Sequence, residues 1–108
     1  MIKVIIDHHV KDQKDVEAVI EIIRQLRNAA TRQLGNITGE TLINTKDRRN
    51  ILVISVWRRV EDWNAWDKSE ERKKLTQQMH QLLAKPYTFR TFQYYLVEQK
   101  RKGVWSTV

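Results

Sequence analysis

A chain of 108 residues is one domain's worth, long enough to bury roughly 65% of its unfolded surface without covalent staples. It contains no cysteine, which excludes a disulfide framework, thiolate catalysis, iron–sulfur clusters and cysteine zinc sites, and fits a reducing compartment. The net charge of +7 raises nucleic-acid binding, but the basic residues fall in small groups (Arg48-Arg49, Arg58-Arg59, Arg72-Lys73-Lys74, Lys100-Arg101-Lys102) with no recognition motif, so they read as solvated surface that attracts anions at long range.

The first predicted strand spans residues 2–10, rich in β-branched side chains and bounded by the polar run 11–14. Charge interrupts its apolar run after Ile6, too early for a signal-peptide core. No stretch approaches membrane-spanning length, so a soluble cytoplasmic protein is expected. Residues 13–34 then read as one amphipathic helix capped by Asp12. Val16, Val19, Ile20, Ile23, Leu26, Ala30 and Leu34 recur at three- and four-residue steps and make one apolar stripe. Gly35 and Asn36, which tolerate a left-handed backbone, end it. A second strand over 37–44, a polar turn over 45–50 and a third strand over 51–58 predict a hairpin.

Residues 60–84 predict a broken helix. Trp63 and Trp66 share a face of its first piece, and Ser69, followed by Glu70 and Glu71, caps its second. Pro86 stops the helical pattern and 87–97 form the fourth strand. The order β-α-β-β-α-β is that of the split, ferredoxin-like α+β unit, with a four-stranded antiparallel sheet carrying its helices on one face. This domain occupies residues 1–98. The remainder, 99–108, is a solvated linker followed by Val104-Trp105-Ser106-Thr107-Val108, either an arm that docks on a partner or a frayed terminus.

One feature of the strands predicts assembly. Residues 4–6 and 51–54 are apolar in both alternation phases, so both sheet faces carry apolar groups, and helices cover only one. A second copy packing sheet against sheet is the economical cover, and a homodimer is expected.

Familiar catalytic signatures are missing. The three glycines form no phosphate loop, and none of the serines sits on a nucleophile elbow; Ser55, in mid-strand, reads as a backbone-bonded filler. His8 and His9 must point to opposite faces, which argues against a shared metal ion, and either face is open to be the covered one. Asp7 and His9 read as a neighbour pair at a strand end. His80 lies at the edge of the stripe Leu75, Met79, Leu82, Leu83, as a boundary histidine or a second acid–base group.

The apolar strand 51–57, the Trp-x-x-Trp of Trp63 and Trp66, and Ser69-Glu70-Glu71-Arg72 together resemble the antibiotic biosynthesis monooxygenase family. The resemblance implies a dimeric α/β barrel with a pocket inside each subunit, lined by the first strand and the tryptophan helix. Trp66 matches the position that heme-degrading members press on the porphyrin. Those members add an axial histidine ten residues later, where this chain has Thr76, and an asparagine on the first strand, where it has Asp7 or His8. Heme binding or degradation is therefore the second reading, beside a non-catalytic module for a small ligand. The first is a cofactor-independent monooxygenase acting on an electron-rich, quinol-like aromatic: His8 the base, Trp66 the pocket wall and indole donor, Trp63 a further lining residue, and His80 a second acid–base group.

Overall fold

The computed structural model describes residues 1–95. In chain order these form β1 (Ile2–His9), α1 (Val16–Ala30), β2 (Asn36–Ile43), β3 (Asn50–Trp57), α2 (Val60–Asp67), α3 (Glu70–His80) and β4 (Thr88–Gln93). The strands make one antiparallel sheet in the order β2-β3-β1-β4. This is the ferredoxin-like α+β arrangement. The predicted tail, with Trp105, lies outside the described residues.

Burial along β1 alternates strictly: Ile2, Val4, Ile6 and His8 are buried, while Lys3, Ile5, Asp7 and His9 are partly open. The first set faces the helices. On β3 the helix-facing set is Ile51, Val53, Ser55 and Trp57, and β1 pairs with β3 in a register that sets His8 opposite Ile51.

The first helix differs from expectation at both ends. Gln13–Asp15 form a separate 3₁₀ turn, whose first N–H groups are served by Asp12 through a 3.1 Å bond from the Lys14 backbone. The α-helix stops at Ala30 rather than residue 34. Thr31 Oγ1 donates to the Asn28 carbonyl and Gln33 Nε2 to the Ala29 carbonyl, so side chains take acceptors that further helical turns would have used. The chain then reverses at Gly35, whose φ of +85° suits a residue without a Cβ. A Cβ there would fall 2.1 Å from Asp62 Oδ2, so the same glycine lets the loop close onto α2. Leu34, counted in the predicted stripe, is consequently 80% exposed, and the helix buries Ile22 and Ala29 as well as Val16, Val19, Ile23 and Leu26.

The break between α2 and α3 falls at Ser69. Its hydroxyl donates to the Trp66 carbonyl at 2.8 Å and accepts from the Arg72 backbone at 3.2 Å, so one side chain closes one helix and opens the next. The second helix ends at His80, four residues before the predicted end. The chain beyond it is tied to the end of β1 instead: Lys11 N–H donates to Leu82 O at 2.8 Å, and Ala84 N–H to His9 O at 2.7 Å. These bonds hold α3 beside His8.

Candidate functional site

Between α1, the inner face of the sheet and the tryptophans of α2 lies a cavity of about 190 Å³. For scale, an apolar cavity of ~150 Å³ admits benzene. Strand alternation places Ile6 and His8 of β1 in its wall together with Val53, Ser55 and Trp57 of β3, while Trp63, Trp66 and Arg72 close another side. The wall is mostly apolar. Among the described residues its charged lining is Arg27 and Arg72, with no carboxylate.

His8 is 2% exposed, and its Nδ1 lies 3.1 Å from the Ile51 carbonyl oxygen. A carbonyl can only accept, so Nδ1 carries the hydrogen and Nε2 is left as a lone-pair acceptor. Burial is the main reason its pKa falls from 6.5 to about 4; the Ile51 bond opposes the fall and the nearby Arg72 charge adds to it. The imidazole is therefore neutral at pH 7. Its neighbour His9 sits on the other face, with Nε2 3.4 Å from Asp7 Oδ2 in an exposed pair.

Trp63 and Trp66 are both buried, one helical turn apart. Trp63 meets Trp57 edge-on at 5.9 Å and Phe89 of β4 at 5.2 Å, an aromatic cluster that joins α2 to β3 and β4. Its indole nitrogen is buried with no hydrogen-bond partner among the described residues. Ser55 is more than a filler, since its Oγ accepts the Trp57 indole N–H at 3.0 Å and orients that ring along the cavity wall.

Arg72, read from sequence as part of a solvated basic run, is 4% exposed. Its guanidinium carbon lies 5.1 Å from the Trp63 ring centre and 5.4 Å from that of Tyr87. Nε donates to Asp67 Oδ1 at 3.3 Å. A helical signal for this existed: Arg72 precedes Thr76 by four residues and Met79 by seven, and all three form the buried face of α3.

His80 does not join His8, Trp63 and Trp66 in the cavity wall. It is exposed, with its ring 6.1 Å from that of Tyr87, which also lies 5.7 Å from the His8 ring. Heme ligation from α3 finds no support either. Thr76 is buried and its hydroxyl donates to the Lys73 carbonyl, leaving that helix with no imidazole on the cavity. Asp7, the alternative first-strand residue, faces away from the cavity and accepts from Asn50 Nδ2 at 2.6 Å.

Comparison with known proteins agrees with this fold. The chain superposes on a protein from Nitrosomonas europaea described by the name antibiotic biosynthesis monooxygenase, with TM-score 0.79, 17% identity, and coverage of 88% of this chain and 99% of that one. It is similar to a conserved protein from Methanosarcina mazei Go1 (TM-score 0.78, 13% identity, 85% and 90% covered). It is also similar to SnoaB, a cofactor-independent oxygenase from Streptomyces nogalater (TM-score 0.77, 11% identity, 86% and 91% covered). Among curated proteins none matches. Residues 1–78 match the family model for antibiotic biosynthesis monooxygenases, covering β1 through most of α3 and every residue of the cavity wall, and the chain therefore belongs to that family.

Proposed function

We propose that this protein is a cofactor-independent monooxygenase that oxidises an electron-rich, quinol-like aromatic molecule, with His8 as proton acceptor. The observation that carries the reading is a neutral, buried imidazole, fixed by the Ile51 carbonyl with its Nε2 lone pair unused by that bond, in the wall of an aromatic-lined cavity. Such a substrate supplies its own electrons. Loss of the phenolic proton to His8 leaves an electron-rich anion that reduces dioxygen at a ring carbon. One oxygen atom stays on the ring, the other leaves as water, and the ring ends as a quinone. The protein's part is to hold the ring, take the proton and keep water out. Trp66 and Trp57 wall the ring, and Trp63 anchors the wall through its contacts with Trp57 and Phe89. The family likeness and the cofactor-independent oxygenase among the similar structures support the same chemistry. His80 is assigned no direct contact with substrate.

The reading includes a homodimer. On the face away from the helices Ile5, Leu52, Ile54 and Val56 are only half-covered, and Leu42 and Phe92, which flank them in the sheet register, are exposed. Half-covered apolar side chains gathered on one open sheet face mark an interaction surface. Sheet-on-sheet packing of two copies would cover it. A stable 13 kDa monomer in sedimentation at micromolar concentration would refute this part.

The catalytic test is oxygen uptake with a panel of quinols and naphthols. Uptake should be saturable and fall at least about a hundredfold in His8→Gln, in line with the usual contribution of a general base. Equal turnover in wild type and His8→Gln would remove His8 from the mechanism. A copurifying aromatic ligand with no oxygen consumed by any substrate would turn the protein into a binding module.

A further inference from the structure

His8 alone is a poor base for the reaction proposed above. A phenol has a pKa of about 10, while the buried imidazole titrates near 4, so unaided proton transfer is uphill by about six orders of magnitude. Some group must favour the anion. Among the described residues the cavity wall holds two cations and no carboxylate, and one of the cations, Arg72, is almost wholly buried.

The surroundings of Arg72 show what its charge lacks. Asp67, its one ion-pair partner among the described residues, binds Nε alone, at 3.3 Å and from a single oxygen. Trp63 and Tyr87 present ring faces to the guanidinium, and neither is hydrogen-bonded to its two terminal amino groups. Those amino groups have no protein acceptor among the described residues. The open space that Arg72 borders is the cavity. A guanidinium taken out of water with several donors unused is costly unless something else fills them. His8 and Arg72 line the same cavity and both lie against the Tyr87 ring, 5.7 and 5.4 Å from its centre, so the two side chains share one neighbourhood.

We propose that Arg72 is the oxyanion-stabilising residue of this site, its terminal amino groups holding the phenolate oxygen of a flat phenolic ligand beside His8. In the proton-transfer step the phenol O–H bond breaks, the proton joins His8 Nε2, and the electron pair stays on the oxygen facing Arg72. No electron leaves the ring in this step. Arg27 at the rim, donating to Thr41, adds cationic potential to the same cavity. The assignment rests on the reading of the cavity as a phenol site, and it can fail separately.

The test uses 4-nitrophenol, whose ionised form absorbs at a different wavelength, titrated on the full-length protein across pH. Bound to wild type, its apparent pKa should drop by at least one unit relative to free dye, a tenfold gain for the anion. Arg72→Met should abolish the drop, and Arg72→Lys, which keeps the charge and guards against a folding defect, should retain part of it. Arg24→Gln, which removes an exposed charge on α1, should leave it intact. Saturable binding with no drop in wild type, an undiminished drop in folded Arg72→Met, or an equal loss in Arg24→Gln would each overturn the role of Arg72 while leaving the cavity as a ligand site. No binding to wild type would overturn the phenol site with it. Oxygen uptake, by contrast, reports on the reaction alone.

Discussion

The two faces of the sheet are built from the same strands and do different work. The inner face carries His8, Ser55 and Trp57 into an aromatic-lined cavity; the outer face, one residue out of phase, carries Ile5, Ile54 and His9 toward open surroundings. Adjacent histidines make the contrast plain. His8 loses its water and most of its basicity, whereas His9 keeps an exposed carboxylate partner. Position in the pleat, not residue type, sets the chemistry.

Four measurements sharpen or break that contrast. The largest effect is expected for Trp63→Ala, which empties the junction of α2, β3 and β4 and should lower the unfolding free energy by about 3–5 kcal/mol in urea denaturation. Next comes acid. Between pH 6.5 and about 4 an unfolded histidine takes a proton that folded His8 refuses, so unfolding binds a proton and stability falls as pH falls through that window. His8 contributes nothing to this slope above 6.5, and by pH 4 its share reaches about 3 kcal/mol. His8→Gln should flatten the slope by that amount; an unchanged slope would mean that the inner face is wet. On the outer face, Ile54→Glu should weaken self-association at least a hundredfold, about 2.7 kcal/mol, read as a halved mass in sedimentation. The smallest effect belongs to His9→Ala, within about 0.5 kcal/mol of wild type because its ion pair is exposed. A large loss there would undo the comparison.

Much of this was legible in the chain. Strand alternation, the Ser69 cap and the Trp63–Trp66 spacing are local patterns, and the structure keeps them because neighbouring residues alone set the period and the cap. The end of α1 was misread because Leu34 continues the helical period, while competition from Thr31 and Gln33 for the last carbonyls is invisible to a count of apolar positions. Arg72 was misread for the opposite reason. Flanked by Lys73 and Lys74 it looks solvated, and only its spacing to Met79 hinted otherwise.

The sequence by itself determined the order of elements, the antiparallel hairpin and the fact that His8 and His9 oppose each other, because backbone geometry imposes those periods on any chain. Tertiary structure alone decided which histidine is covered, that His80 stays outside, and that Arg72 turns inward between two aromatic rings. Those outcomes depend on which face the helices dock against and how far each helix runs before it stops. Such contacts reach beyond one element, as His8 does to Ile51, 43 positions away, and no local period encodes them.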